Sequence, residues 1–382
     1  MALVPQAMTP RWPTYSRTCQ QAVMRLLQQG GSLSAYRSNP TMPYGPREGS
    51  WAWKVERLAE QMFGIRRVIA CNSGTMALQA MLYASGLAKG TEVVTSPYTF
   101  SATPAAILHA GMRPIFADVH PETFCLNPEM VQSNVVMPVD LFGRTASRAY
   151  SGMILADSCQ AVGAHKGMAE ALTAAWSFNG QKNVPAGEAG AIITDALDVA
   201  EHARHFISHG ENWRRTDVGL NGRMNELTAC VAYHGLKALP RANAHRQMLA
   251  MELWLQLAGE TRVRVLAPTV IRHHALYVYP LLIVAREVDR ARFVRRLKRL
   301  GVEAGEGYIR PHLGHYPAFK SAVTGPLPVV EELAERSLVL LYQIRQPTTR
   351  TQVRYIATAI RAALDAQPVP KSRLMRIEPT AF

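Results

Sequence analysis

Between about residues 54 and 195, the sequence alternates between segments typical of helices and short apolar segments typical of strands. The segments WKVERLAEQMFG, TMALQAMLYASG and ATPAAILHAG have the apolar spacing of helices. The intervening apolar runs are RVIACNSG, EVVTSP, RPIFADV, NVVMPVDLFG, GMILADS, TAAWSF and AGAIITD. This alternation predicts an α/β fold, in which helices cover a mostly parallel sheet. In open sheets of this kind, ligands bind beyond the carboxyl ends of the strands.

The pattern changes in the second half of the chain. A helical stretch from about 200 to 250 is followed, from about 262, by strand-like runs and helices that predict a smaller α+β domain. The first 50 residues are rich in Pro, Ser and Gly, which indicates an arm or loop. We therefore predict an N-terminal arm or loop at 1–50, a large domain at 51–245, a small C-terminal domain at 246–370 and a tail at 371–382.

The formal net charge of +14 raises the question of a polyanionic partner. The densest basic run is DRARFVRRLKRL, residues 289–300, in which Phe293, Val294, Leu297 and Leu300 recur at three- and four-residue steps. That spacing predicts a helix with one buried face and its arginines on the solvated face. Because Phe293 falls on the buried face and the run matches no recognised nucleic-acid motif, we do not expect nucleic acid as a partner.

The five cysteines are widely spaced and form no CxxC pair, so the sequence supports neither a zinc site nor a disulfide framework. We therefore expect no metal, and a reducing, cytoplasmic setting. No apolar run is long enough to span a bilayer. The first residues, MALVPQAMTPRWP, lack the charged start and apolar block of a secretory signal.

Polar residues gather where the predicted strands end. Ser73, Gly74 and Thr75 precede a helix, where they form either a site for one phosphate or an ordinary helix cap. Asp157 closes an apolar strand, where a carboxylate needs a cation unless it caps a helix. Lys182 follows another strand, in a loop of small residues, where a lysine can act as a nucleophile. Pyridoxal phosphate (PLP) requires three such groups: hydrogen-bond donors for its phosphate, a carboxylate for its pyridinium nitrogen and an amine for its aldehyde.

The sequence resembles the DegT/StrS family of PLP-dependent sugar aminotransferases, which have the aspartate-aminotransferase fold, type I. The resemblance rests on the segments CNSGTMAL, EVVTSPYTFSATPAAILHAGMRPIFADV, DSCQAVGA, SFNGQKNVPAGEAGAIIT, SHGENW and GLNGRMNELTACVA. It covers roughly residues 50–240 and continues more weakly through GYIRPHLGHYPAF to about 365. It implies a large domain with a mostly parallel mixed sheet covered by helices, and a smaller C-terminal α+β domain.

The resemblance also implies roles for four residues around the ring of the cofactor. Lys182 would form the Schiff base with PLP and then shuttle the proton during transamination. Asp157 would pair with the pyridine nitrogen, and Gln160 would hydrogen-bond near the phenolic oxygen. Phe100 stands at the place of the aromatic residue that stacks on the ring, although an ordinary core phenylalanine is the alternative for it.

At the phosphate, the resemblance assigns Gly74, Thr75 and Ser177 from the same subunit. Asn221, in GLNGRM, stands at the place of the family's asparagine that reaches the phosphate of the neighbouring subunit's cofactor. The implied assembly is therefore a homodimer with shared active sites.

A lysine at position 182 implies transamination, since relatives with histidine there dehydrate or deoxygenate sugars. The implied reaction is a ping-pong aldimine/ketimine exchange. The donor is glutamate, or glutamine in some relatives, and the acceptor is a nucleotide-linked keto-deoxysugar or a related cyclic ketone. The alternatives are a ketocyclitol aminotransferase, an aromatising synthase of the amino-dehydroquinate type, a nucleic-acid-associated protein of this fold, and a PLP-binding regulatory protein without turnover.

The sequence departs from the family pattern in three places. The segment LFGRTASRAYSGMILADS is short where relatives usually have a longer helix, and GEAG places Ala189 where a glycine is usual. The arm SLSAYRSNPTMPYGPREGSWAW is rich in Tyr, Trp, Arg and Pro, and it serves either as a substrate contact or as an ordinary surface or dimer arm. The candidate substrate-binding residues are Tyr36, Arg37, Tyr44, Arg47, His209, Tyr308, Arg310 and His312.

Overall fold

The structure is a computed structural model that describes residues 13–36, 45–164, 173–210 and 218–366. Two of the candidate residues, Arg37 and Tyr44, lie outside the described residues. Within these ranges, none of the helices combines the length and the apolar character that a membrane crossing requires. The same ranges contain no group of three or more histidine, cysteine, aspartate or glutamate side chains placed to hold a metal ion.

A seven-stranded sheet forms the centre of the first half of the chain. Its strands are β1 (Arg67–Cys71), β2 (Glu92–Thr95), β3 (Arg113–Phe116), β4 (Val135–Val136), β5 (Met153–Asp157), β6 (Thr173–Ser177) and β7 (Gly190–Thr194). They lie in the order β1-β7-β6-β5-β4-β2-β3, and only β7 runs against the other six. The predicted mostly parallel mixed sheet is confirmed. Because six strands share one direction, their carboxyl ends meet at one edge.

The helices that pack on or beside this sheet are α1 (Arg17–Gln29), α2 (Trp51–Phe63), α3 (Gly74–Ala84), α4 (Ala102–His109), α5 (Leu197–Phe206) and α6 (Glu226–Gln256). Alternate residues of β1 enter different clusters. Val68 and Ala70 pack with α2 and α6, whereas Ile69 and Cys71 pack with α3. Since side chains alternate across a strand, both faces of the sheet are buried. α2 ends before Gly64, whose left-handed backbone (φ 66°) closes the helix.

Helix α1 lies within the predicted N-terminal arm or loop, where the sequence analysis predicted no helix, and the bounds of that arm stay a prediction. The helix begins after Ser16, whose hydroxyl accepts a hydrogen bond from the N–H of Cys19 at 3.2 Å. Its residues pack on α6, and Cys19 is buried there. The residues rich in Pro, Ser and Gly flank this helix on both sides, and their composition obscured the helical spacing of the segment between the flanks.

The short segment before Asp157 has a visible effect on the sheet. Residues 144–150, between β4 and β5, form no helix, so a loop crosses over to the next parallel strand. Leu126, Val131 and Tyr150 cover this side instead, packing with Val94 and Val136. The Tyr150 hydroxyl donates to the main-chain oxygen of Leu126 at 3.0 Å. The segment after β3 therefore provides the cover that a crossover helix gives elsewhere in such sheets.

A second, four-stranded sheet is fully antiparallel in the order β10-β11-β9-β8. Its strands are β8 (Val263–Arg264), β9 (Tyr279–Ile283), β10 (Ala304–Glu306) and β11 (Leu338–Leu341). The accompanying helices are α7 (Pro268–Ile271), α8 (Arg290–Arg299), α9 (Pro328–Glu332) and α10 (Arg350–Asp365). This is the predicted smaller α+β unit. α6 runs without a break across the predicted boundary between residues 245 and 246, and the boundaries themselves stay predictions.

Helix α8 carries the basic run. Phe293, Val294 and Leu297 are buried on one face, as the spacing predicts. The expectation that all its arginines are solvated is wrong for Arg290, which is buried. Its guanidinium donates to the main-chain oxygens of Leu333, at 3.1 Å, and of Ala334, at 2.8 Å. Arg290 therefore joins α8 to the segment before β11.

Candidate active site

A cavity of about 550 Å³ lies at the carboxyl edge of the seven-stranded sheet. The segments that follow β1, β2, β5 and β6 form most of its wall, and residues near β9 and β10 close it from the other side. It brings together eight of the sequence-predicted residues: Gly74, Thr75, Phe100, Asp157, Gln160, Ser177, Lys182 and Tyr308. Binding beyond the carboxyl ends of the strands is the location that the fold predicts.

One end of the cavity is built to receive an anion. Gly74 and Thr75 form the first turn of α3, where the N–H groups and the positive end of the helix dipole face outward. The Ser177 hydroxyl accepts the N–H of Asn179 at 3.3 Å, which leaves its own proton to donate. A Cβ on Gly74 would lie 2.7 Å from the Cβ of Ser177 and 3.1 Å from the Sγ of Cys159. Position 74 therefore requires glycine for the helix end to approach β6 this closely.

Asp157 ends β5 with a buried side chain that is 5% exposed. Its Oδ2 accepts the hydroxyl proton of Thr103 at 2.6 Å, and its Oδ1 accepts the N–H of Cys159 at 3.1 Å. The Thr103 hydroxyl is also 2.9 Å from that of Thr99. These bonds fix both oxygens, so the carboxylate has one orientation at the cavity wall. No Lys or Arg pairs with it in the described ranges, so a cation bound in the cavity is its natural partner.

Lys182 lies in the turn between β6 and β7, with its N–H bonded to the oxygen of Asn179 at 2.8 Å. Burial lowers the pKa of its amine, while the electrostatic influence of Cys159 and Asp157 acts in the opposite direction. The Nζ atom is 4.3 Å from the ring centroid of Tyr277, which is the geometry of a cation–π contact. A lysine with a lowered pKa provides more of the neutral amine, which is the nucleophilic form.

Gln160 is buried and held at both ends of its amide. Oε1 accepts the N–H of Phe142 at 2.9 Å, and Nε2 donates to the Tyr308 hydroxyl at 2.9 Å. Phe142 has a left-handed backbone (φ 59°), which is uncommon for a residue other than glycine. The oxygen of Phe142 in turn accepts the N–H of Tyr277 at 3.0 Å. The segment around Phe142 thus positions one residue from each side of the cavity.

Phe100 is 57% exposed and lines the cavity, so it is not an ordinary core phenylalanine. An exposed aromatic face at a cavity wall is available to a flat ligand. Glu188 belongs to the GEAG segment, which differs from the family pattern. It also lines the cavity, and its Oε1 accepts a hydrogen bond from Asn179 Nδ2 at 2.8 Å. Ala189 is fully buried in an apolar cluster, and the close approach falls on Gly190, where a Cβ would lie 2.6 Å from the main chain of Ser73. The alanine is therefore accommodated.

Asn221 is exposed and lies outside the residues that line the cavity of its own chain. Its main-chain oxygen accepts the amide of Asn72 at 3.1 Å. His209 is exposed with a left-handed backbone (φ 67°), and its N–H donates to the oxygen of Leu220 at 3.0 Å. The substrate contact predicted for His209 and the phosphate contact predicted for Asn221 stay predictions.

The two candidate substrate-binding residues of the predicted arm that the structure describes, Tyr36 and Arg47, also lie away from this cavity. The Tyr36 hydroxyl donates to the main-chain oxygen of Ala70 at 3.3 Å. Arg47 donates to the main-chain oxygen of Ser34 at 3.2 Å, and it lines a different cavity of about 730 Å³ between α1 and α2. Within one described chain, both side chains therefore support the packing of the N-terminal segment.

Arg310 and His312 follow Tyr308 but do not line the cavity. The exposed Arg310 forms ion pairs with Glu306 at 2.8 Å and Glu335 at 3.7 Å. His312 is buried, and its Nδ1 accepts the N–H of Gly314 at 3.1 Å. Burial, and then the neighbouring ring of His315, lower the pKa of His312, so the neutral imidazole is favoured.

Sequence analysis missed several residues of the site. Tyr277 lies in a segment interpreted only as part of the small domain, and Ile309 was passed over between the candidates Tyr308 and Arg310; both residues close the cavity from the far side. Cys159 lines the cavity beside Asp157, and burial raises the pKa of its thiol well above the ordinary value. Thr103 lies on α4 and orients Asp157. The spacing within one motif gives no signal for such contacts, because they join segments far apart in the chain.

The residues of this cavity match the separate requirements of PLP. Gly74 has no side chain to crowd the N-terminus of α3, and the hydroxyl of Ser177 has a proton to donate. Both features suit a phosphate at this end of the cavity. The buried Asp157, which has no cationic partner in the described chain, suits a protonated ring nitrogen. Lys182 offers the amine, and Phe100 offers an apolar face. The residues therefore fit this cofactor.

Comparison with known proteins agrees with this fit. The model of the DegT/DnrJ/EryC1/StrS aminotransferase family matches residues 46–361. The chain is 30% identical over 300 residues to the 3-oxo-glucose-6-phosphate:glutamate aminotransferase of Bacillus subtilis, covering 72% of this chain and 68% of the relative. It is 26% identical over 310 residues to the GDP-perosamine synthase of Caulobacter vibrioides, covering 74% of this chain and 82% of the relative.

A solved structure with a bound cofactor has the same fold as this chain. The chain superposes on NtdA from Bacillus subtilis, solved with the bound cofactor PMP, with a TM-score of 0.75 and 25% identity. The superposition covers 92% of this chain and 83% of that chain. Because the family match spans most of the sequence, and the lysine, carboxylate and helix end meet in one cavity, this chain belongs to the DegT/DnrJ/EryC1/StrS aminotransferase family and is a PLP-dependent aminotransferase.

Proposed function

We propose that this enzyme transfers the amino group of L-glutamate to a ketone on a sugar, either nucleotide-linked or phosphorylated, or on a related cyclic compound. The observation that carries the proposal is the meeting of Lys182, Asp157 and the N-terminus of α3 in one cavity. The named relatives support the acceptor class, since one is a glutamate-dependent aminotransferase of a 3-oxo-glucose phosphate and another is a perosamine synthase.

PLP, when bound, supplies an aldehyde that accepts an amine and a ring that withdraws electrons from the bonds of the substrate's α-carbon. Lys182 provides the amine that holds the cofactor. Once the substrate has displaced it, the same Nζ removes the proton from the α-carbon of the amino acid, as a general base. Its lowered pKa suits both tasks, because each requires the neutral amine.

Asp157, oriented by Thr103 and the N–H of Cys159, is proposed to hold the ring nitrogen in its protonated form. Gly74 and Thr75, together with the Ser177 hydroxyl, are proposed to bind the phosphate at the end of α3. These contacts would fix the cofactor at two ends, so that the amine of Lys182 meets it in a single orientation.

Phe100 is proposed to stack on the ring, supported by its exposed position at the cavity wall. Gln160 is proposed to lie near the phenolic oxygen, where its amide is already held by Phe142 and Tyr308.

Asn221 is proposed to reach the phosphate of the partner subunit's cofactor, which makes the enzyme a homodimer with shared sites. The exposed position of Asn221, outside its own cavity, supports this role because a side chain facing outward is free to enter a second site. The cytoplasmic setting stays part of this proposal, supported by cysteines that form no framework.

The test combines cofactor binding with the two halves of the reaction. The purified protein with PLP is expected to be yellow, and borohydride is expected to fix the cofactor to the peptide that contains Lys182. Addition of L-glutamate should release 2-oxoglutarate and remove the yellow colour, whereas D-glutamate should do neither. The loaded enzyme is then offered a 3-oxo sugar phosphate, a nucleotide-linked 4-keto-6-deoxysugar and a ketocyclitol.

A return of the yellow colour, with an aminated product detected by mass spectrometry, identifies the acceptor. Turnover of only the ketocyclitol would contradict the sugar assignment while leaving the aminotransferase assignment intact. A protein that takes up PLP but releases no 2-oxoglutarate from glutamate would refute the proposed donor.

A further inference from the structure

Three hydrogen-bonding groups form a directed chain along one wall of the cavity. Phe142 N–H donates to Gln160 Oε1 at 2.9 Å, and Gln160 Nε2 lies 2.9 Å from the Tyr308 hydroxyl. A main-chain N–H can only donate, so it determines which end of the Gln160 amide is the oxygen. The amide nitrogen therefore faces Tyr308. Because that nitrogen also can only donate, the Tyr308 oxygen is the acceptor.

This direction leaves the proton of the Tyr308 hydroxyl available. A phenol has one proton to donate besides its acceptor capacity, and the bond from Gln160 does not use it. Within the part of the chain that the structure describes, the hydroxyl of Tyr308 has no other hydrogen-bond partner. Tyr308 lines the cavity that contains Lys182, so a ligand in the cavity is the group within reach of this proton.

The position of the Tyr308 ring is fixed from two further directions. Its main-chain N–H donates to the hydroxyl of Tyr98 at 3.1 Å. Its ring meets that of Phe142 edge to face, with centroids 5.5 Å apart and an interplanar angle of 87°. A donor that is held in place before the ligand arrives loses little conformational freedom on binding, which is the arrangement expected of a binding group.

The hydroxyl also keeps its proton. Burial raises the pKa of Tyr308, and the neighbouring Tyr277 and Asp157 raise it further because a tyrosinate would be repelled by their negative forms. Cys159 acts in the same direction, whereas the bond from Gln160 opposes them. Tyr308 is therefore a donor throughout the pH range in which the enzyme works.

We propose that the Tyr308 hydroxyl donates a hydrogen bond to an anionic oxygen in the cavity, and that Phe142 and Gln160 set its direction. The inference rests on the proposed function, which supplies two such oxygens: the ring oxygen of PLP and the carboxylate of the amino-acid donor. Sequence analysis assigned the ring oxygen to Gln160. In this arrangement Gln160 also acts through Tyr308, as a positioning residue.

The first experiment compares the PLP-loaded wild type with Tyr308→Phe, and uses Tyr342→Phe as a matched control that lies outside the cavity lining. The yellow absorption band is titrated with pH in the absence of substrate. If the ring oxygen is the acceptor, Tyr308→Phe moves the midpoint upward by about one to two pH units, since that oxygen, without its partner, attracts the neighbouring proton more strongly. Tyr342→Phe leaves the midpoint in place.

If the donor's carboxylate is the acceptor, the midpoint stays and the KM for glutamate rises by about tenfold or more in Tyr308→Phe, with kcat changed much less. Both results support the proposal and distinguish the two oxygens. An unchanged midpoint together with an unchanged KM overturns it. A wild-type protein that takes up no PLP would instead refute the proposed function, so the two failures are distinguishable.

A double-mutant cycle tests the direction of the chain. A carboxylate in Gln160→Glu cannot donate to Tyr308, so it accepts the tyrosine proton and withdraws it from the cavity. Adding Tyr308→Phe to Gln160→Glu is then expected to move the midpoint by less than about 0.3 pH units and to change the KM less than twofold. An equal effect of Tyr308→Phe in both backgrounds would overturn the role of Gln160.

Discussion

The contact between Lys182 and the ring of Tyr277 leads to a quantitative prediction about the catalytic amine. The Nζ atom lies 4.3 Å from the ring centroid, within the range in which an aromatic face stabilises an ammonium ion. Such a contact is worth about 0.5 to 2 kcal/mol in favour of the charged form. Since one pKa unit corresponds to about 1.4 kcal/mol, removing the ring is expected to change the pKa of Lys182 by about 0.4 to 1.5 units.

Replacement of Tyr277 by Leu removes the aromatic face and is therefore expected to lower the pKa of Lys182 by that amount. Tyr277→Phe keeps the face and should leave the pKa within about 0.3 units of the wild type. Burial already lowers this pKa, and Asp157 and Cys159 raise it, so both variants are compared in the same electrostatic setting. The Tyr277 hydroxyl is the only group that differs between wild type and the Phe variant.

The pKa is measured on the cofactor-free enzyme by competitive labelling with a trace of acetic anhydride at a series of pH values. The labelled peptide that contains Lys182 is quantified by mass spectrometry against a free-amine standard. An unchanged pKa in Tyr277→Leu would show that the ring does not stabilise the ammonium ion. A raised pKa would show that water entering the vacated space outweighs the ring. Either result refutes the reasoning.

Three further outcomes are expected. Lys182→Ala should retain the fold but release 2-oxoglutarate from glutamate at least about 10³-fold more slowly, measured in a single turnover, and release at the parent rate would contradict its role. Mixed dimers of Lys182→Ala and Asn221→Ala chains should regain activity, because one of the two sites then has both intact residues; no recovery in demonstrated heterodimers would count against a shared site. Gly74→Ala should lower the free energy of unfolding by about 1 to 3 kcal/mol and weaken PLP binding, because the new Cβ would lie 2.7 Å from the Cβ of Ser177. The control Gly180→Ala should have neither effect, because the nearest atom to its new Cβ is 3.9 Å away. Equal behaviour of the two alanine variants in chemical denaturation and PLP titration would contradict the close approach at position 74.

Local sequence patterns were sufficient for the sheet and for the residues that follow its strands. Asp157 ends an apolar run, while Ser73, Gly74 and Lys182 lie in the segments that follow such runs, and the parallel arrangement of the strands brings these positions to one edge. The position of each strand's end thus follows from short-range information, whereas the reversed direction of β7 does not. This explains why the cavity gathers residues that lie more than a hundred positions apart in the sequence.

The rest of the site depends on contacts that no local pattern records. Tyr277 reads as part of an apolar strand, and only the approach of the segment before β9 to the loop after β6 brings its ring to Lys182. The bond between Gln160 and Tyr308 joins residues 148 positions apart. The left-handed backbone of Phe142 has no sequence signal, because glycine or asparagine is the usual residue in that conformation. The helix α1 was missed for a different reason, since its flanks carry the composition of a loop.

Helix α6 has a consequence for how this protein denatures. Ala229, Ala232 and Leu236, in its first half, belong to the apolar cluster under the large sheet, while Leu249 and Leu253, in its second half, belong to the cluster under the small sheet. If one cluster unfolded alone, half of α6 would be exposed while its other half stayed packed. Unfolding of one cluster therefore destabilises the other, and the two are expected to unfold together. Calorimetry should accordingly give a single endotherm, with equal calorimetric and van't Hoff enthalpies per cooperative unit. Limited proteolysis is likewise expected to yield no fragment that ends within α6 and keeps a folded core.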